Sequence, residues 1–111
     1  DNFDYFETPV CLVGHSHIPA LFVLDETAAE LNFYLVGDAE TIDLSRGRII
    51  LNPGSVGQPR DGDPRASYAL LDTDAGTVTF RRVPYKVEQT QQRMRERGLP
   101  SMLIERLALG R

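Results

Sequence analysis

The chain has 111 residues, 41% hydrophobic and 25% charged, which is room for one modest globular domain. A net charge of −4 gives no global basic field to gather nucleic acid or an anionic membrane surface, and no apolar stretch approaches a membrane span. Cys11 is the only cysteine, so no internal disulfide forms, which suits a cytoplasmic setting.

Phe3, Tyr5 and Phe6 crowd the start and need something to pack against. With Asp1 in place of Met, they suggest that the chain continues upstream; a removed tag or propeptide explains the missing Met equally well. Residues 10–13 (Val-Cys-Leu-Val) read as a short, fully buried strand stopped by Gly14, with Cys11 inert inside it. Residues 20–24 and 31–36 read as two further strands, the second with Leu31, Phe33 and Leu35 on one face. A short strand over 42–44 and another over 48–51 follow. Residues 52–65 form the longest aperiodic stretch, rich in Gly, Pro, Asp and Arg, as functional loops often are. Strands over 67–72 and 77–83 flank the turn Thr73-Asp74-Ala75-Gly76 and make a hairpin. After Pro84 the pattern turns helical. A polar helix spans 87–97 with Gly98 as its stop, and a second opens at Pro100-Ser101 with Met102, Leu103, Leu107 and Ala108 on one side. These elements suggest an antiparallel meander whose two helices cannot cover so many strands, so a second covering layer is missing.

Both histidines of the chain lie in Gly14-His15-Ser16-His17, at the mouth of the first strand. Neutral imidazole is the commonest metal ligand among side chains. On an extended segment, residues two apart point to the same side, so His15 and His17 enter one site or reach two neighbouring ions. Two imidazoles do not complete a binuclear centre, which also needs carboxylates. In the loop that follows, Asn52, Gly54 and Ser55 are candidates for a phosphate-binding nest, against the plainer reading of a Pro-Gly turn. Arg60 is a candidate phosphate fork, against pairing with Asp61 or Asp63. Arg81-Arg82 reads as a solvated face, and the four tyrosines as packing residues. Asp61-Gly62-Asp63 lacks the remaining oxygens of a calcium loop.

Gly14-His15-Ser16-His17, followed by strands and then the run from Asn52-Pro53-Gly54-Ser55 to Arg60, resembles the C-terminal half of a calcineurin-like metallophosphoesterase, of the compact prokaryotic branch of phosphodiesterases and phosphatases. The Ser67-Tyr68-Ala69 strand and Gly98-Leu99-Pro100 extend the resemblance over most of the chain. It implies an α/β fold, the C-terminal part of a four-layer α/β/β/α sandwich. It also implies that His15 and His17 ligate two divalent ions, one each, with Mn²⁺ ahead of Fe, Zn²⁺ or Ni²⁺. Ser16 stands where the family often has Thr. The family's earlier motifs, Asp-x-His, Gly-Asp-x-x-Asp and Gly-Asn-His-Asp/Glu, are not found; Gly37-Asp38-Ala39-Glu40 follows the histidine pair and lacks the final Asp. The expectation is therefore that residues 1–111 are the C-terminal portion of a single phosphoesterase domain, incompetent alone. Its partners would be the N-terminal half of the same domain and a small phosphomonoester or phosphodiester, with a homo-oligomer left open. The alternatives are a non-catalytic metal- or protein-binding β-rich module, or a structural domain whose histidines are incidental.

Overall fold

The computed structural model describes residues 2–111. A 3-10 turn at Asn2–Tyr5 precedes β1 (Val10–Leu12), β2 (Pro19–Asp25), β3 (Glu30–Leu35) and β4 (Thr41–Asp43). After a second 3-10 turn at Leu44–Arg46 come β5 (Arg48–Pro53), β6 (Ala66–Asp72), β7 (Thr77–Val83), α1 (Val87–Glu96) and α2 (Ser101–Leu109). Strands followed by two helices match the expected order. The strands form two sheets, β1-β5-β2-β3 and β4-β7-β6.

The chain is not a simple meander. β5 inserts between β1 and β2, antiparallel to β2 and parallel to β1. Val10, Cys11 and Leu12 pair with Ile49, Ile50 and Leu51. The β2–β3 hairpin and β4 carry the chain away and back before β5 forms, and that detour permits the parallel pairing.

The two sheets enclose the core. Alternation along each strand sends Leu21 and Val23, Ile49 and Leu51, and Val78 and Phe80 inward, joined by Val36. Two aspartates close the hairpins by the same device. Asp25 accepts from the backbone N–H of Thr27 and Ala28, and Asp72 from those of Asp74 and Ala75.

Burial departs from the expected pattern in four places. β1 is a sheet-edge strand, so Val10 and Cys11 are only half-buried and Leu12 is 61% exposed. Leu31, Phe33 and Leu35 do share one face, opposite Leu24, Phe22 and Ala20, but it is the outer face of the sheet. Leu35 is 67% exposed there, and Phe22 and Phe33 stack with centroids 4.8 Å apart. In α2 the buried residues are Ile104 and Leu107, while Met102 is 72% exposed and Ala108 is exposed. At the start, Phe3 is buried as expected, with Arg48 over the rings of Phe3 and Phe6, whereas Tyr5 is exposed. Among the described residues, no helix is long and apolar enough to cross a membrane.

α1 ends in a Schellman motif, with Gly98 N–H on the Arg95 carbonyl and Leu99 N–H on that of Met94. α2 ends at Gly110, with φ 64°. Its carbonyl accepts the Gly62 N–H at 2.9 Å, so the helix end is tied to the 52–65 loop. A Cβ at Gly110 would stand 2.7 Å from backbone atoms of Asp63. Left-handed strain and overpacking together predict that Gly110→Ala destabilises the protein by about 2–4 kcal/mol. Urea unfolding checks this, and an unchanged midpoint contradicts the tie.

Candidate metal centre

β1 ends at Leu12, and the histidines do not continue it. The backbone bends through residues 14–17, with His15 at φ 75° and His17 at φ 61°. The extended geometry expected for the pair is thus replaced by two left-handed residues. Histidine tolerates this region better than most side chains, yet each such residue costs on the order of 1 kcal/mol. Strain of this kind persists only where the surroundings enforce it.

Asn52 does much of the enforcing. It sits 4% exposed at the end of β5. Its Nδ2 donates to the Gly14 carbonyl and to Ser16 Oγ, each at 2.9 Å, and its Oδ1 accepts the Gly54 N–H at 3.0 Å. Both amide protons are spent on the turn, so Asn52 braces it. The Gly54 N–H is spent in the same exchange. Gly54 itself is fixed at φ 86°, and a Cβ there would stand 2.6 Å from Ser67 Oγ.

The other predicted residues line the same loop. Ser55 Oγ accepts the Gln58 N–H at 3.0 Å. Arg60 N–H donates to the His17 carbonyl at 3.3 Å, and Arg60 Nη2 donates to Gln58 Oε1 at 2.8 Å. Arg60 therefore pairs with Gln58 and not with Asp61 or Asp63. His15 is exposed; His17 is half-buried, with Nδ1 2.8 Å from the Gln58 carbonyl oxygen. The fold thus brings His15, His17, Asn52, Gly54, Ser55 and Arg60 to one end of the sheet.

Arg82 corrects the solvated-face reading. Its side chain is only 4% exposed and forms an ion pair with Asp61. Its Nη1 donates to the Arg65 carbonyl, and its backbone N–H donates to Asp38 Oδ1. Arg65 in turn pairs with Asp63 at 2.7 Å and with Asp38 at 3.2 Å. The double arginine hides this role, but strand period does not. Val78, Phe80 and Arg82 share one face of β7, and the first two are core. Gln58 and Asp38 carry no comparable signal.

The donor set suits a divalent ion as far as it goes: two imidazoles at a polar sheet edge. Among the described residues no group of three or more His, Cys, Asp and Glu comes together to hold a metal. Further ligands would have to come from elsewhere.

The Arg82 N–H, then Arg65, hold the Asp38 carboxyl below its ordinary range, and Arg65 does the same for Asp63. A lowered carboxyl pKa stabilises the fold above the unfolded value near about 3.9 and loses that contribution as pH falls through the native value. Stability should therefore fall on acidification from about pH 5 towards 2, and Asp38→Asn should flatten that descent. Thermal unfolding across this range checks it; an equally steep descent in the variant contradicts it.

Residues 4–76 match the calcineurin-like phosphoesterase superfamily domain. The fold agrees with part of the crystal structure of a metallophosphoesterase from Sphaerobacter thermophilus, with TM-score 0.92 and 52% identity, over 98% of this chain and 45% of that one. An uncharacterized protein of Methanocaldococcus jannaschii is 40% identical over 111 residues, which are 100% of this chain and 42% of that protein. The chain thus spans less than half the length of these relatives. It belongs to the calcineurin-like phosphoesterase superfamily.

Proposed function

We propose that residues 1–111 are the C-terminal part of a binuclear-metal phosphoesterase domain, with His15 and His17 each ligating one divalent ion. The observation that carries this reading is the pair of imidazoles held on left-handed backbone at one sheet edge, in a chain of this superfamily. Left-handed strain also occurs at Ala29 and Ala39, but only at His15 and His17 does it fall on two side chains of metal-ligating type with one residue between them, and strain of this kind clusters at functional sites. When bound, two divalent ions supply Lewis acidity and an activated water for attack at phosphorus. Mn²⁺ is the first candidate, with Fe, Zn²⁺ and Ni²⁺ behind it.

In this reading the chain's own residues hold and orient. Arg60 offers a guanidinium fork to phosphate oxygens at the same edge as the histidines. The Ser55 hydroxyl, already accepting from Gln58, can donate its own proton to an anion. Asn52 and Gly54 shape the turn. The substrate is a small phosphomonoester or phosphodiester. The carboxylate ligands come from the remaining part of the domain, whose helices also cover the exposed face around Phe22, Phe33 and Leu35 in a four-layer α/β/β/α sandwich. Without that part the chain is inactive. The lone cysteine fits a cytoplasmic setting.

His15→Ala in the complete protein should lower Mn²⁺ occupancy and the hydrolysis of p-nitrophenyl phosphate or its bis-ester at least about tenfold. Unchanged metal stoichiometry and rate would sink the ligand assignment. His15→Gly separates strain from function. It should raise metal-free stability by up to about 1 kcal/mol by relieving the left-handed penalty, while still weakening metal binding. A metal-free variant less stable than the parent contradicts the strain account.

A further inference from the structure

We infer that the Arg82–Asp61 ion pair is a positioning device for His17, acting through the Gln58 carbonyl to make Nε2 the metal-facing nitrogen. The inference rests on the reading of His17 as a ligand. It begins from hydrogen-bond chemistry. A carbonyl oxygen only accepts, so His17 Nδ1, 2.8 Å from the Gln58 oxygen, must carry the ring proton. The neutral ring then has its lone pair on Nε2. Which nitrogen of a histidine binds a metal is set by the bond the other one makes. An unconstrained imidazole favours the opposite tautomer, with the proton on Nε2, so the carbonyl has to be held in place for the arrangement to persist.

The loop holds it at several points. The Gln58 N–H is bonded to Ser55 Oγ. Pro59 is among the most fully buried side chains of the molecule. The Arg60 N–H closes on the His17 carbonyl, giving the loop a second contact with the same residue. Immediately after it, Asp61 is pinned by Arg82. Arg82 is fixed on β7 inside the fold, and its Nη1 also holds the Arg65 carbonyl at 3.1 Å, so one buried guanidinium fixes the end of the loop at two points. The tie from Gly62 N–H to the Gly110 carbonyl adds the end of α2. A partly buried ion pair is weak evidence for net stability, because desolvation of the arginine offsets attraction. Its geometric consequence is definite here: the segment that carries the Gln58 carbonyl has little room to shift.

Arg82 and Asp61 are thus positioning residues and touch no substrate. The test is long-range ¹H–¹⁵N NMR of the His17 ring in the complete, metal-free protein, at a pH well above the imidazole value of about 6.5. The His17 signal is assigned with His17→Gln. The expected spectrum shows the proton on Nδ1. In Asp61→Asn it should shift towards the Nε2–H form, with Mn²⁺ affinity about 10–100-fold weaker. Arg82→Lys, which keeps the charge, should retain more of the native tautomer than Arg82→Met. Asp61→Asn is the milder change if Arg82→Met does not fold. A parental His17 with its proton on Nε2 overturns the inference whatever the metal does. So does an Asp61→Asn tautomer identical to the parent's. A native tautomer that Mn²⁺ neither broadens nor shifts instead overturns the ligand reading, and with it the purpose assigned to the latch.

Discussion

β1 and β5 lie side by side and run in the same direction, so the chain leaves both strands at the same sheet edge. That parallel register, Leu12 beside Leu51, puts Gly14-His15-Ser16-His17 next to Asn52-Pro53-Gly54-Ser55 although the two are far apart in sequence. An antiparallel pairing would send the two turns to opposite ends of the sheet. The Asn52 amide, itself buried, then joins them with bonds to Gly14, Ser16 and Gly54. In that setting an unmade bond costs about 1–3 kcal/mol, enough to offset the left-handed strain at the histidines.

The loop beyond Asn52 is irregular without being loose. Its polar groups are satisfied locally: Asp63 by Arg65, Asp61 by Arg82, Gln58 by Ser55 and Arg60, and Arg65 also by Asp38 outside the loop. Such a loop can carry side chains that face water while its backbone stays fixed by the sheets beneath. This is the arrangement a metal or phosphate site needs, because ligand geometry must be set before the ligand arrives.

Local patterns in the sequence were enough to find the β6–β7 hairpin, both helices and the histidine pair. The strand Thr77–Val83 falls where alternation places it. The superfamily was also legible, because Gly-His-x-His and Asn-Pro-Gly-Ser stand in a recognisable order. Pairing was not. Nothing local in Val10-Cys11-Leu12 says that its neighbour lies in a distant strand, or that the neighbour runs parallel. Burial was legible in part: two helices are too few to cover the strands, but nothing local says that Leu12 or Leu35 lies on the face left exposed. The Arg82 latch was hidden by reading Arg81-Arg82 as charge, although the β7 alternation points Arg82 inward. The left-handed histidines were unreadable, because tertiary bonds from Asn52 impose that conformation against local preference.

The fold and the superfamily converge on one edge of one sheet, where two strained imidazoles, a braced loop and an exposed arginine meet. The most direct test is anomalous diffraction from crystals of the complete protein grown with Mn²⁺. The account predicts two Mn²⁺ peaks, one about 2 Å from a nitrogen of His15 and the other about 2 Å from Nε2 of His17. Metal bound away from both histidines, or His17 turned so that its Nδ1 faces the ion, would contradict it.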